Sequence, residues 1–178
     1  MKLNAAFLAA LAIGCCCHAA DPVEMLIDNG GFESGLDGWT LRVGEGAVAA
    51  PEAAHGGQAG LRIPTTVKMS IQAASVPVDC GKRYRISLWV RGIGSIPMSL
   101  NLGWRNDSGK YMEVQNPNDF KLALPVGSEW QHFTREFVPP DGAASLQVGF
   151  STWLPPGKTS ATPIDVDEVV LEEIGEAN

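Results

Sequence analysis

Hydrophobic and polar residues alternate along most of the chain after residue 68. The clearest case is the segment 83–91, R-Y-R-I-S-L-W-V-R, in which apolar side chains occupy every second position. The segments 69–76, 98–105 and 145–153 repeat this alternation. Because successive side chains of a β-strand point to opposite faces, a period of two predicts half-buried strands. Beyond the first twenty residues, no stretch of ten or more residues has the apolar spacing of a helix.

Turn-forming residues separate these predicted strands. Gly44 and Gly46 interrupt one apolar stretch, and the turns N-D-S-G-K (106–110) and P-P-D-G (139–142) separate others. Many short strands with a turn signal about every ten residues are typical of antiparallel sandwiches and jelly rolls. We therefore predict an all-β fold of two antiparallel sheets, in which the first and last strands pair.

The same alternation assigns tryptophans to faces of the predicted strands. Trp104 has the parity of Leu100 and Leu102, which predicts a position in the core. Trp89 and Trp153 have the outward parity of their strands. An outward ring either stacks on a ligand or lies beneath a loop, and the pattern leaves both interpretations open.

The first twenty residues have the composition of an export signal. Lys2 precedes an apolar run and a small-residue exit that ends at Ala20. The run is too short to cross a bilayer, which takes about 20 residues. We expect cleavage near Ala20, which leaves a single domain over residues 21–178. The alternative is a lipoprotein signal acylated at Cys15, and either signal predicts an exported, periplasmic or extracellular protein.

The net charge and the reactive side chains argue against several classes of function. The net charge of −7 and the pI of about 4.9 make nucleic acid and anionic membranes poor partners. Only Cys80 lies in the body of the chain, which excludes a disulfide scaffold. The three histidines, one of them in the signal, offer neither a metal triad nor a Ser–His–Asp arrangement. No spacing argument pairs Glu113 with Glu136 as catalytic carboxylates, so we expect no enzyme.

Six motifs in order resemble the carbohydrate-binding modules of families 4, 9, 16 and 22. The segment 29–39, N-G-G-F-E-S-G-L-D-G-W, is similar to the opening of these modules. The further matches are H-G-G-Q-A-G-L (55–61), G-K-R-Y-R-I-S-L-W-V-R (81–91), E-W-Q-H-F (129–133), L-Q-V-G-F (146–150) and D-E-V-V-L (167–171). They extend over essentially the whole mature chain, with Glu168 standing where the family usually has a second Asp.

This resemblance implies a galactose-binding-domain-like β-jelly roll, often with a structural Ca²⁺. Carried over to this sequence, the ion would be held by Glu33, by Asp167 and by backbone carbonyls near Asn29 and Gly57. A mixture of carboxylate and carbonyl oxygens suits such a hard cation. The alternative is that Glu33 caps a turn and that Asp167 is a solvated charge at a sheet edge.

The resemblance also implies that a ligand lies across the concave outer face of one sheet, and that Trp39 and Trp130 pack in the core. Guanidinium and amide groups suit bidentate hydrogen bonding to vicinal hydroxyls, and aromatic rings suit stacking on a sugar. Strand parity selects outward residues, to which a tyrosine on a loop-flanked strand is added. The carbohydrate-binding candidates are Trp89, Trp153, Arg85, Arg91, Asn101, Arg105, Gln147 and Tyr111.

The predicted function is a secreted, monomeric, non-catalytic module that binds poly- or oligosaccharide, alone or assisting a separate glycoside hydrolase. One alternative is an adhesion or scaffolding domain that uses the same fold to hold protein. The other is a jelly-roll glycosidase or lyase. Ligand choice in this group depends on loop shape and a few side chains, so the sequence does not name the sugar.

Overall fold

The alternating segments form antiparallel strands in the computed structural model. It describes residues 25–65, 68–92, 98–113, 121–124, 127–152 and 163–177, so the predicted export signal and Cys15 lie outside the described residues. Within these ranges the chain forms one 3-10 turn (Pro51–Ala53) and ten strands. They are β1 (Trp39–Val43), β2 (Val48–Ala50), β3 (Gly60–Ile63), β4 (Met69–Pro77), β5 (Lys82–Gly92), β6 (Met98–Arg105), β7 (Lys121–Ala123), β8 (Gln131–Phe137), β9 (Ser145–Thr152) and β10 (Ile164–Glu176). No helix among the described residues has the length and apolar character needed to cross a membrane.

The ten strands make two five-stranded sheets. The front sheet has the order β1-β4-β9-β6-β7, and the back sheet has the order β2-β3-β10-β5-β8. Every pairing between these strands is antiparallel. Met25 forms an isolated antiparallel bridge with Glu172, so the first and last segments pair as predicted. The predicted all-β sandwich is confirmed.

The core lies between the sheets and follows the predicted parity. On β5, Tyr84, Ile86, Leu88 and Val90 are buried, while the residues between them are partly exposed. Trp104 on β6 is also in the core, as predicted, with 1% of its surface exposed. Burial of one face of each strand stabilises the fold because apolar surface is removed from water.

Trp39 joins the glycine-rich loop before β1 to this core. Its ring lies 5.7 Å from Phe150 and 5.0 Å from Phe32, and it is 7% exposed, which confirms the predicted core position. Its indole nitrogen donates a hydrogen bond of 3.2 Å to the carbonyl of Asn29. The amide of Asn29 in turn donates to the carbonyls of Gly35 and Asp37, which holds the loop closed.

Trp130 does not lie in the core, and the prediction for this residue was wrong. Its side chain is only partly buried, the guanidinium of Arg91 lies 4.6 Å from its ring, and the His55 ring meets it edge-on at 5.3 Å. Strand register gives the reason. Trp89 pairs with His132 on the outer face, so the residue two positions before His132 faces outward too.

Candidate functional site

The predicted sugar-binding residues divide between the two sheets. Three lie on the back sheet, whereas four lie on or beside the front sheet. The back-sheet residues are Arg85, Trp89 and Arg91, and the front-sheet residues are Asn101, Arg105, Gln147 and Tyr111. Trp153 follows the front-sheet strand β9 and lies outside the described residues. A single site on one sheet that combines Trp89 with Asn101 and Gln147 is therefore ruled out by topology.

Three of these front-sheet residues, Asn101, Gln147 and Tyr111, line a groove of about 410 Å³, which we call the front groove. It is lined by Val43, Lys68, Ser70, Gln72, Asn101, Gly103, Tyr111, Gln147, Ser151 and Thr152. Two glycines shape its floor. A Cβ on Gly103 would stand 3.4 Å from the Tyr111 ring, and a Cβ on Gly149 would stand 2.9 Å from the Gln72 side chain. Their lack of side chains lets Tyr111 and Gln72 lie across the sheet.

Polar side chains on the groove floor are held in place by hydrogen bonds. The Asn101 amide nitrogen donates to the Ser151 hydroxyl at 2.9 Å, and the Gln147 amide nitrogen donates to the carbonyl of Ala73 at 3.2 Å. Each bond uses one amide proton and leaves the amide oxygen as an acceptor. Fixed amides that line a groove can hydrogen-bond ligand hydroxyls at little further cost in side-chain entropy.

Tyr111 forms the aromatic wall of the groove. It is 43% exposed, and it bridges Arg105 at the end of β6. The Arg105 guanidinium lies 5.9 Å from the ring centroid and donates to the carbonyl of Gly109 at 3.2 Å. Partial burial raises the pKa of Tyr111, so the phenol is neutral at neutral pH. A neutral, half-exposed ring of this kind can stack on the apolar face of a sugar.

Trp89 on the back sheet is covered by a loop. The His55 ring stacks on it at 4.0 Å with an interplanar angle of 15°, and His132 on β8 lies 4.9 Å away. His55 is fixed by a 2.8 Å hydrogen bond between its Nδ1 and the carboxylate of Glu168. Of the two interpretations that the sequence left open, the structure has the ring beneath a loop. No signal in the sequence indicated that His55 would cover it.

The two predicted back-sheet arginines, Arg85 and Arg91, contact carboxylates. Arg91 donates to Asp165 at 3.0 Å, and Arg62 contacts the same carboxylate through two nitrogens. The hydrogen bond to Asp165 raises the pKa of Arg62 above its ordinary value. Arg85 lies between Glu136 and Glu172, at 3.3 and 3.0 Å. Because these guanidinium groups already pair with carboxylates of the same sheet, this face is more typical of a solvated sheet surface than of a ligand-binding surface.

A Trp89→Ala substitution tests whether the ligand binds on the back sheet or in the front groove. We expect it to lower the free energy of unfolding by about 1 to 2 kcal/mol, because it removes two ring contacts that are each of moderate strength. We expect polysaccharide retention in affinity gels to stay unchanged, since the ring is not part of the front groove. Loss of retention in a variant that is still folded would place the binding site on the back sheet instead.

Asp167 is a buried carboxylate at the centre of the back sheet. It lies on β10, in the middle of the back sheet, and is fully buried, so it is not a solvated edge charge. One carboxylate oxygen accepts from the backbone N–H groups of His55 and Gly56 at 2.7 and 3.0 Å, and the other accepts from Glu168 at 2.7 Å. Burial raises the pKa of Asp167. No basic side chain pairs with it within the described part of the chain.

Glu33 approaches the same loop from the other side. Its carboxylate accepts from the backbone N–H of Gln58 at 2.9 Å and from that of Ala59 at 3.2 Å, so it does cap a turn. A Cβ on Gly31 would stand 3.9 Å from both the Asp167 carboxylate and the Glu33 side chain. A Cβ on Gly57 would overlap the Glu33 carboxylate, and the φ of Gly57 is 64°, which favours glycine.

These observations test whether the residues fit a calcium ion. The two carboxylates converge on the loop that contains Gly57, and no cationic side chain of the described residues pairs with Asp167. The donor set of carboxylate and carbonyl oxygens suits Ca²⁺. Asn29 lies in the adjoining loop, but its carbonyl already accepts from Phe32 and Trp39. Among the described residues, no group of three or more His, Cys, Asp or Glu side chains is arranged to hold a metal ion, so backbone oxygens and water would complete the shell.

The two carboxylates considered for catalysis are far apart in the topology. Glu136 lies on β8 of the back sheet and pairs with Arg85. Glu113 follows Tyr111, which bridges β6 of the front sheet. A glycosidase needs its two carboxylates about 5 to 10 Å apart across one bond, and neither the strand pairing nor any hydrogen bond among the described residues brings these two together.

The sequence did not single out seven of the ten residues that line the front groove, among them Lys68, Ser70 and Gln72. A usable signal was present for two of them. Ser70 and Gln72 have outward parity on β4, and β4 pairs with β9, which carries Gln147. Only the order of the strands reveals that these residues lie beside Asn101 and Tyr111.

The described residues form a fold that is shared with known modules. A family model described as a carbohydrate binding domain matches residues 24–160. Among curated proteins, no sequence matches the chain.

Several solved structures resemble it. A family 16 carbohydrate-binding module has a TM-score of 0.65 at 21% identity, covering 82% of this chain and 98% of that one. The CBM22-1 xylan-binding domain of Xyn10C from Paenibacillus barcinonensis has a TM-score of 0.60 at 18% identity, covering 89% and 100%. The module TmCBM61, solved with β-1,4-galactotriose, has a TM-score of 0.63 at 14% identity, covering 85% and 99%. At these identities the likeness establishes the fold alone.

Proposed function

The chain belongs to the carbohydrate-binding domain family, and on that premise we propose that it is a non-catalytic module whose front groove binds a glycan chain. The observation behind this proposal is the combination of Tyr111 with fixed amides on one concave surface. Asn101 and Gln147 are each held by a hydrogen bond and each present an amide oxygen to the groove. Sugar recognition needs an aromatic face for stacking and planar polar groups for hydroxyls.

The related structures support this kind of ligand. One is described as xylan-binding and another was solved with β-1,4-galactotriose. Both names refer to β-linked chains of pyranose units. We propose a ligand of the same general shape, an extended oligo- or polysaccharide that lies along the groove.

We also propose a structural Ca²⁺ held by Glu33, Asp167 and backbone carbonyls near Asn29 and Gly57. When bound, the ion would offset the charge of the buried Asp167 carboxylate and link the loop after residue 54 to β10. This site contacts the back sheet, whereas the front groove lies on the opposite face. Calcium is therefore proposed to stabilise the fold rather than to contact the sugar.

The proposal places the protein outside the cytoplasm. The predicted signal within residues 1–20, or acylation at Cys15, would export it to the periplasm or the exterior. We propose that it acts as a monomer, alone or beside a separate glycoside hydrolase. An adhesion domain that holds protein is the competing class.

A polysaccharide panel tests the proposed function. We expect retention in affinity gels by at least one glycan, with no release of reducing sugar. Gln147→Ala should weaken that retention about fivefold, since it removes one amide that contacts hydroxyls. The control is Gln58→Ala, a substitution in the loop at Glu33 that leaves the groove intact. Equal effects of the two substitutions, or no retention by any glycan, would contradict the proposal.

A further inference from the structure

The charges of this protein are distributed unequally between its two sheets. The chain has 20 acidic residues, yet none lies in β1, β4, β6, β7 or β9, the five strands of the front sheet. In the back sheet, β10 alone has the sequence IDVDEVVLEEIGE with six acidic residues. Although the net charge is −7, the strands of the front sheet therefore have no carboxylates.

Four basic residues of the back sheet are paired with carboxylates, whereas the two at the front groove are not, within the described part of the chain. Lys82, Arg62, Arg85 and Arg91 of the back sheet each contact a carboxylate within 3.5 Å. At the front groove, Lys68 lines the wall and Arg105 lies over the Tyr111 ring. Neither forms an ion pair with a carboxylate within the described ranges. The carboxylates closest to them in sequence, such as Glu45 and Asp107, lie in turns outside the strands and do not line the groove.

We infer that the glycan bound in the front groove is anionic, with carboxylate or sulfate groups along its chain. This inference rests on the proposed function of the same groove and specifies its ligand. A guanidinium binds a carboxylate or sulfate through parallel hydrogen bonds, and a lysine ammonium binds it as a point charge. Both groups lie beside a groove whose other polar groups are amides and hydroxyls.

The net charge of the protein bears on the choice between an anionic and a neutral glycan. A protein of charge −7 repels a polyanion over most of its surface, so retention of an acidic polymer requires a local positive site. Lys68 and Arg105 provide such a site beside the aromatic wall of Tyr111. A neutral glycan would gain stacking and amide contacts there but would leave both cations unused.

Affinity electrophoresis with matched polymers tests the inference. The acidic ligands are polygalacturonate, alginate and a sulfated galactan, and each is compared with its carboxyl-reduced or desulfated derivative. We expect at least one acidic polymer to bind about tenfold more tightly than its neutral derivative, as two charge-assisted contacts allow. The preference should decline as salt is raised, because partly exposed charges are screened. Comparison of the two carboxylated polymers with the sulfated galactan shows whether the groove recognises carboxylate or sulfate.

Two variants that each remove one positive charge test whether the preference for acidic polymers arises in the front groove. Lys68→Gln should lower the ratio of acidic to neutral affinity about fivefold. Lys82→Gln removes the same charge from the back sheet and should leave that ratio unchanged. Neutral derivatives that bind as well as their acidic parents would overturn the inference and leave the proposed function standing. Equal retention by single-stranded DNA would also overturn it, and retention by no glycan at all would overturn both.

Discussion

Replacing Asp167 by asparagine is expected to lower the free energy of unfolding by about 3 kcal/mol or more, which lowers the melting temperature by about 6 to 12 °C. Both carboxylate oxygens accept backbone hydrogen bonds, one from His55 and Gly56 and the other from Glu168. An asparagine has only one acceptor oxygen, so its NH₂ group must face at least one N–H. A buried donor without an acceptor loses its full solvation energy.

The same substitution tests the calcium proposal. In the wild-type protein, free Ca²⁺ at about a hundred times its dissociation constant should add about 2.7 kcal/mol to the free energy of unfolding, and a chelator should remove it. Thermal denaturation with calcium and with chelator measures this difference. Asp167→Asn should abolish the difference as well as lower both curves, while Asp141→Asn in an exposed turn should change neither. A wild-type melting temperature that chelation does not shift would contradict bound calcium.

Tyr111→Ala is expected to weaken glycan binding about thirtyfold, because well-packed tyrosines at binding surfaces contribute about 2 kcal/mol or more. The ring is 43% exposed and forms the aromatic wall of the front groove. Truncation removes the stacking face and opens the space above Gly103. Isothermal titration with the glycan identified by the panel measures the loss.

The control for Tyr111 is the conservative Tyr111→Phe, which keeps the ring. It should retain most of the affinity if stacking is the main contribution, and the melting temperatures of both variants should lie within a few degrees of wild type, since the ring is at the surface. Loss of binding in the phenylalanine variant equal to that in the alanine variant would show that the ring face does not contact the sugar.

The periodicity of the sequence predicted the strands because burial acts residue by residue. The predicted strand 98–105 coincides with β6, and the alternation on β5 gives the observed buried set. Trp104 was placed correctly in the core by parity alone. Parity is a local property, and one face of each strand packs against the opposite sheet whatever the order of the strands.

Parity could not decide which outward residues share a face, because that depends on strand order. Trp89 and Gln147 have the same outward parity, yet β5 and β9 belong to different sheets. The seven predicted binding residues that the structure describes were consequently a mixture of two surfaces. Tertiary structure also decided that the His55 loop covers Trp89 and that Trp130 faces Arg91, since both contacts join segments that are distant in sequence.

The glycine-rich segment 28–39 shows which features follow from the sequence and which follow from tertiary structure. Its motif resembled the opening of a carbohydrate-binding module, and with the alternation of the later strands the sequence by itself determined the fold class and the family. The resemblance also implied that Trp39 packs in the core. Only tertiary structure brought Glu33 within reach of the loop 55–59 and buried Asp167 in a central strand, because these contacts span from 25 to 112 positions. The choice of surface for the ligand was likewise decided by the pairing of strands, which a local pattern does not encode.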